Sequence, residues 1–127
     1  MAALSSTLGI DFGTSNSAAG VALGGVPCLI DIEQGQQTLP TAVFFDFDEK
    51  RIVYGRPAQA ALIGGDEGRY MRALKSLLGT SLMRESRMLL GKRMDFVAIV
   101  GRFLAEIKAR AEAATGQKFD RALSGRP

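Results

Sequence analysis

The chain contains no histidine, and it has one cysteine among 127 residues. Without histidine, Ser/His/Asp catalysis, Cys/His catalysis and histidine-ligated zinc sites are excluded within this chain. Cys28 cannot form an internal disulfide, and its strand-like surroundings "VPCLIDI" predict a buried structural thiol rather than a nucleophile. Long apolar runs are also missing, so neither a membrane span nor a signal peptide is indicated, and a cytoplasmic location is expected.

The length and composition are those of one compact globular domain, but the charge is distributed unevenly along the chain. Residues 1–50 hold six acids and one base, net −5, whereas residues 51–127 hold fifteen bases and seven acids, net +8. Clustered bases can bind a phosphate backbone, although few aromatic residues are available to stack on bases and no nucleic-acid motif is recognised. Nucleic-acid binding is therefore less favoured than a solvated basic face or a surface that meets an acidic segment.

The amino-terminal half predicts an antiparallel meander of strands. The runs "TLGIDF" and "SAAGVALGG" are joined by the turn "GTSN", and "VPCLIDIE" makes a third strand. "LPTAVFFDF" is predicted as one further strand, opened by Pro40, which suits a strand start or edge. An acidic turn then leads into the short strand "RIVYG".

After Tyr54 the pattern predicts helices. "RPAQAALIGG" starts with Pro57 at a helix-initiating position and stops at a glycine pair, and "YMRALKSLLG" predicts a second helix that stops at Gly79. In the second segment the apolar residues at helical spacing are Met71, Leu74, Leu77 and Leu78.

A third helix of roughly 20 residues, about 30 Å long, is predicted from Asp95 to Thr115, where apolar residues recur every three or four positions. Gly116 follows at the position of a left-handed terminal cap. "KFDRALSG" then predicts a last strand. The order strands, helix, strand indicates an α/β protein whose final strand runs parallel to the first.

The opening stretch "GIDFGTSNS" places an acid and a glycine at a turn between two strands. It contains neither of the known glycine-rich phosphate loops. Backbone N–H groups of a hairpin turn can still form a concave nest for an anion, and Gly13 would permit close approach and a positive φ. Asp11 would then need a hard cation such as Mg²⁺ between its carboxylate and a phosphate. An ordinary hairpin turn without ligand is the alternative, because all these residue types are common in turns.

"GIDFGTSNS" resembles the first phosphate motif, I-D-x-G-T-[ST], of the actin, hexokinase and seventy-kilodalton heat-shock superfamily. "LPTAVFF", "VYGRPAQAAL" and "ALKSLLG" resemble segments of the heat-shock branch in the same order. Together with the long helix and "ALSGRP", the likeness extends over essentially the whole chain, and it is strongest to divergent DnaK-like chaperones. An actin-like filament protein fits these segments less well.

The resemblance implies a ribonuclease-H-like, actin-type ATPase lobe that is incomplete. Residues 1–36 and 95–127 are expected to form its core subdomain, and residues 37–94 a reduced second subdomain. The second phosphate motif, the adenosine-binding motif, the second lobe and the peptide-binding domain are absent from these 127 residues. The chain is accordingly expected to be the truncated first lobe.

The resemblance also implies roles for residues of the opening turn. Gly13, Thr14 and Ser15 are expected to contact the β- and γ-phosphates of ATP, and Asp11 is expected to lie near magnesium through water. Asn16 stands where typical heat-shock proteins have tyrosine, so only its backbone is expected to contribute.

Lys75 in "ALKSLLG" matches the lysine that reaches the γ-phosphate and orients the attacking water. A cationic amine there offsets charge that develops during phosphoryl transfer. Unfolded clients and co-chaperones would bind through regions beyond these residues. The chain alone is expected to bind ATP weakly and not to hydrolyse it, since one turn and one lysine cannot offset the entropy lost on binding.

Two other expectations follow from the sequence. As an alternative function, the basic segment 69–93, with seven bases against the single acid Glu85, could bind an acidic protein or nucleic acid. The last strand, around Phe119 to Ser124, is expected to leave an open edge through which two copies associate.

Overall fold

The computed structural model describes residues 7–124. Within that range the chain forms ten strands, two α-helices and two short 3-10 helices. The strands are β1 (Thr7–Phe12), β2 (Asn16–Leu23), β3 (Val26–Leu29), β4 (Thr38–Pro40), β5 (Ala42–Asp46), β6 (Arg51–Tyr54), β7 (Gly68–Arg72), β8 (Ser86–Leu89), β9 (Lys92–Asp95) and β10 (Arg121–Ser124). The α-helices are α1 (Arg56–Ile63) and α2 (Phe96–Thr115), and the 3-10 helices are Leu74–Leu77 and Ser81–Arg84.

The main sheet has the strand order β10-β1-β2-β3, and β4 pairs with the first residues of β2. Strands β1 and β2 form an antiparallel hairpin, whereas β10 lies parallel to β1. The side chains of Leu8, Ile10 and Phe12 point to the buried face of β1, as the two-residue period of a strand requires. Helix α2 covers this face, with the ring centroids of Phe12 and Phe103 5.9 Å apart.

A second sheet has the order β6-β5-β7, and every residue of β5 is buried. Helix α1 packs on it through Ala58 and Ala61, which contact Phe44 in a small core cluster. Strands β8 and β9 form a separate antiparallel hairpin that leads directly into α2. No helix within residues 7–124 is both long enough and apolar enough to span a membrane.

The predicted fold class is confirmed: antiparallel amino-terminal strands and helices are followed by a final strand parallel to the first. The long helix also begins and ends as predicted. Asp95 caps its start, where its Oδ1 accepts the Ala98 N–H at 2.8 Å, and Gly116 ends it in the left-handed conformation (φ 71°). The short helix α1 starts with Pro57 in its first turn and is followed by Gly64.

The predicted helix over "YMRALKSLLG" is wrong. Residues Gly68–Arg72 form strand β7, which pairs with β5, and only Leu74–Leu77 are helical, in a 3-10 turn. Between them Ala73 adopts a left-handed conformation (φ 55°) that an α-helix cannot contain. The buried strand β5 has a free edge here, and pairing with that edge outweighs the local helical spacing.

Two predicted strands also differ in extent and partner. "LPTAVFFDF" divides at Thr41 into β4, which belongs to the main sheet, and β5, which belongs to the second sheet. The third strand is only Val26–Leu29, and β4 pairs with β2, so the meander is not sequential. Cys28 is half-buried on that strand rather than buried. The predicted subdomain limits, 1–36 with 95–127 and 37–94, remain a prediction.

Candidate functional site

The turn between β1 and β2 comprises residues 13–15, with Asp11 and Asn16 in the flanking strands. Asp11 lies on the exposed face of β1, opposite the core, and pairs with Ala18. Thr14, Ser15 and Asn16 are exposed, and no helix begins at the turn. The sequence prediction of a strand, a turn and a second strand at this place is therefore confirmed, while the phosphate contacts stay a prediction.

Thr41, at the division between β4 and β5, makes three hydrogen bonds in this region. Its hydroxyl donates to the Gly13 carbonyl oxygen at 2.9 Å and lies 2.7 Å from the Ser17 hydroxyl. Its backbone N–H donates to the Ser15 carbonyl oxygen at 3.0 Å. Thr41 and Ser17 are each 1% exposed, so these bonds are made away from water. Two carbonyl groups of the turn are thus fixed from the protein side.

Two amide groups of the turn, unlike its Gly13 and Ser15 carbonyl groups, have no hydrogen-bond partner among the described residues. Within residues 7–124, the N–H groups of Thr14 and Ser15 donate no hydrogen bond. An N–H group without a protein acceptor must bond to water or to a ligand. The exposed side of the turn therefore presents hydrogen-bond donors, as an anion site requires.

Gly13 is needed in this turn for space rather than for its φ angle. A Cβ atom at this position would overlap the carbonyl oxygen of Asn16. Gly13 is not among the described glycines with positive φ, so that part of the sequence argument was wrong. The close approach of residues 13 and 16 explains why a side chain is excluded.

Asp11 is the acid nearest to the turn in sequence, and its exposed carboxylate is available to a cation or to water. Within the described residues, no group of three or more Asp, Glu, Cys or His side chains could hold a metal ion. A cation at Asp11 would thus take a single carboxylate from this part of the chain and would need water for its other ligands, which Mg²⁺ commonly keeps.

Lys75 lies in the 3-10 helix Leu74–Leu77 and is half-buried. Its neighbour Leu74 is fully buried in the main core, which fixes the start of this short helix. Within residues 7–124, the Lys75 ammonium group makes no hydrogen bond or ion pair. Among the described residues, no hydrogen bond or ion pair joins Lys75 to the turn at residues 13–16, and its role at the turn stays a prediction.

Thr41 and Ser17 were not predicted from the sequence as residues of this region. Both are hydroxyl residues within otherwise apolar strand segments, "LPTAVFF" and "SAAGVAL". A hydroxyl buried in such a segment requires a hydrogen-bond partner. That requirement was the available signal, although the sequence alone does not identify the partner.

A buried acid, Glu33, was also missed. Its Oε1 lies 2.6 Å from Arg56 Nη1, and its Oε2 lies 3.2 Å from Arg110 Nη1 and accepts the Arg56 N–H at 3.0 Å. Arg110 also bonds to Glu106 and to the carbonyl oxygens of Ile32 and Tyr54. This cluster connects the loop after β3, the start of α1 and the second half of α2.

Most bases of segment 69–93 are exposed and lack an acidic partner. Of its seven bases, only Arg87 lies within ion-pair distance of a carboxylate among the described residues, at 3.9 Å from Glu85. Arg87 also lies over the Phe96 ring, 5.7 Å from its centroid, and Arg93 donates to the Ser86 hydroxyl. The segment is therefore a positively charged surface with little internal neutralisation.

Comparison with known proteins gives one consistent result. The family model "Hsp70 protein" matches residues 7–89, more than half of the chain. The protein named Chaperone protein DnaK of Methanothermobacter thermautotrophicus is 34% identical over 97% of this chain and 20% of its own length. The proteins of the same name from Cenarchaeum symbiosum and Mycoplasma mycoides are 31% and 32% identical over 94% and 91% of the chain. The chain spans about a fifth of the length of these curated relatives.

Proposed function

Because the chain belongs to the Hsp70 family, we propose that it supplies the first phosphate-binding hairpin of a DnaK-like chaperone ATPase. The hairpin is β1, the turn at residues 13–15, and the start of β2. The observation that carries the proposal is the pair of exposed amides at Thr14 and Ser15, which have no acceptor within residues 7–124. A phosphate oxygen is a natural acceptor for such groups, because it is anionic and the turn offers several donors.

Each residue of the proposed site has a distinct role. Because Gly13 has no side chain, the turn can close and a phosphate can approach its backbone. Thr14, Ser15 and Asn16 offer amide donors to that phosphate. Asp11 would hold a magnesium ion through water; bound Mg²⁺ would neutralise phosphate charge. Lys75 is proposed to place its ammonium group on the terminal phosphate, which its freedom from other partners permits.

ATP binding by this chain alone is proposed to be weak, with no hydrolysis. The described residues offer one turn, one carboxylate and one lysine, and the entropy lost by a bound nucleotide is larger than such a partial site offsets. Calorimetry with Mg-ATP tests this directly. Micromolar affinity, or steady phosphate release that Lys75→Ala abolishes, would contradict it.

Chaperone activity, unfolded clients and co-chaperones are proposed for the longer protein that the relatives represent, not for these residues alone. A cytoplasmic location is proposed on the same family basis.

Self-association also stays a proposal. Its support is that β10 lies at the edge of the main sheet and that Leu123, a residue of this strand, is 68% exposed. Sedimentation equilibrium that gives a monomer across the accessible concentration range would remove it.

The second candidate function uses the basic segment 69–93 to bind an acidic protein or nucleic acid. The observation that favours it is the near absence of acidic partners for its seven bases. Such binding would weaken steeply with salt and would not depend on nucleotide. Titration of the chain with a polyanion such as heparin, at low and at moderate salt, separates this candidate from the phosphate turn.

A further inference from the structure

We propose that Thr41, supported by Ser17, is the positioning residue of the opening turn: it orients the turn's amide donors toward a bound phosphate without touching the phosphate itself. The inference rests on the proposed function of the turn. Thr41 lies 28 residues after Gly13 in sequence, on the connection between two sheets, and it makes direct hydrogen bonds to the turn.

The directions of the bonds follow from counting protons. A threonine hydroxyl has one proton, and that of Thr41 is donated to the Gly13 carbonyl oxygen at 2.9 Å. In the 2.7 Å contact between the two hydroxyls, Ser17 must therefore be the donor and Thr41 the acceptor. A hydroxyl that accepts one hydrogen bond becomes a better donor, so Ser17 strengthens the bond from Thr41 to Gly13.

These bonds determine where the turn's amides point. In a trans peptide the C=O and N–H groups of one unit are antiparallel, and the described residues contain no cis peptide. Thr41 holds the Gly13 and Ser15 carbonyl oxygens toward the protein. The N–H groups of the same two peptide units, those of Thr14 and Asn16, must then point away from Thr41. The Thr14 N–H is one of the two that have no acceptor within residues 7–124.

Because Thr41 is buried, water cannot take over its hydrogen bonds to the turn. Thr41 and Ser17 are each 1% exposed, so no solvent molecule is at hand to accept or donate in their place. Thr41 is also the residue at which the chain passes from the main sheet to the second sheet. The orientation of the turn is therefore connected to the junction between the two sheets.

The test compares three variants of the whole chain by amide-resolved NMR. Thr41→Val keeps the shape and the backbone N–H but removes the hydroxyl. Thr41→Ser keeps the hydroxyl and the backbone N–H and removes only the methyl group. Thr115→Val is the matched control, because the Thr115 hydroxyl also donates to a carbonyl oxygen at 2.9 Å, that of Ala111, but lies at the end of α2. Each protein is titrated with pyrophosphate, and microsecond-to-millisecond exchange is measured at residues 13–16.

We expect Thr41→Val to weaken pyrophosphate binding about tenfold, as the loss of one buried hydrogen bond implies, and to raise exchange at residues 13–16. Thr41→Ser should stay within about twofold of the parent chain, and Thr115→Val should leave both readouts unchanged. If Thr41→Val does not fold, Ser17→Ala takes its place, with a smaller expected loss of the same kind.

The outcomes separate the two proposals. If the parent chain shows no pyrophosphate shifts at the turn, the proposed function fails, and the positioning role is decided by the exchange measurement alone. Unchanged exchange in Thr41→Val then contradicts it, and increased exchange supports it. If the parent chain binds and Thr41→Val binds equally well, the positioning role is contradicted while the phosphate turn stands. An equal loss in Thr115→Val would also contradict it, since the effect would then be global.

Discussion

The turn at residues 13–16 and the short helix that carries Lys75 are the two halves of one proposed site, and they are held in different ways. The turn is fixed by hydrogen bonds from Thr41 to two of its carbonyl groups. The helix Leu74–Leu77 is fixed mainly by the burial of Leu74, and the Lys75 ammonium group has no bond within residues 7–124. The backbone of the turn is thus held by the protein itself, whereas the Lys75 side chain would lose conformational freedom if it bound a ligand.

The largest expected effect concerns the lysine half. Leu74→Ala should destabilise the chain by about 3 kcal/mol, because a fully buried leucine leaves a cavity when truncated. Leu78→Ala is the matched control: Leu78 is 44% exposed, and its loss should cost less than about 1 kcal/mol. Urea unfolding measures both. Equal losses would mean that Leu74 does not fix this helix more strongly than its exposed neighbour.

The next largest effect concerns the turn. Gly13→Ala should destabilise the chain by about 2 kcal/mol, because the new Cβ would overlap the Asn16 carbonyl oxygen and shift the backbone. Gly101→Ala makes the same change in α2, where a Cβ would meet nothing within 4 Å, and should stabilise by up to about 1 kcal/mol. A Gly13→Ala variant as stable as the parent would contradict the close packing of this turn.

The two halves also differed in how far the sequence predicted them. The strand, turn and strand around Gly13 are local structure, and the small polar residues of "GTSN" were enough to indicate them. The segment that carries Lys75 was predicted as a helix, but its first part pairs as β7 with β5. That pairing joins residues far apart in sequence, so no local pattern could reveal it.

The sequence likewise gave no indication of what holds the turn. The segment "LPTAVFFDF", which contains Thr41, was predicted as one strand opened by Pro40, and no division at Thr41 was expected. The division at Thr41 places β4 beside β2 and directs the Thr41 hydroxyl to Gly13. By contrast α2 was predicted almost to the residue, since its cap at Asp95 and its end at Gly116 are local signals.

A pH effect of the scaffold must be known before binding at the two halves is compared at different pH. The Phe119 N–H donates to Glu112 Oε2 at 2.9 Å, and with the nearby Lys108 it lowers the pKa of Glu112 below its usual 4.5. A carboxyl with a lowered folded-state pKa stabilises the fold above its unfolded pKa and loses that effect as pH falls through the folded pKa. Stability should therefore fall as the pH drops below about 4.5.

Glu112→Gln tests this pH effect. The variant should be less stable than the parent chain at neutral pH, and the difference should shrink as the solution is acidified. Urea midpoints over a series of pH values provide the measurement. A constant difference between the two proteins at every pH would show that the Glu112 charge does not matter to folding.

The smallest expected effect on stability is that of Lys75→Ala, within about 0.5 kcal/mol, since its ammonium group makes no bond to lose within the described residues. Lys92→Ala, at an exposed position in β9, is the matched control and should be equally neutral. The comparison predicts that the two differ only in phosphate binding, which Lys75→Ala should weaken. A large loss of stability in Lys75→Ala would show that the Lys75 side chain makes stabilising contacts in the folded chain.

The most direct test of the central claim, that the opening turn is a phosphate site formed before its ligand binds, is an amide-resolved NMR titration of the chain with Mg-ADP. It is performed at about 150 mM salt, where the Debye length is about 8 Å and exposed charges are largely screened. We expect saturable shifts concentrated at Thr14, Ser15 and Asn16, with little change in segment 69–93 outside the surroundings of Lys75. Shifts confined to segment 69–93 that vanish as salt is raised, with an unaffected turn, would contradict it.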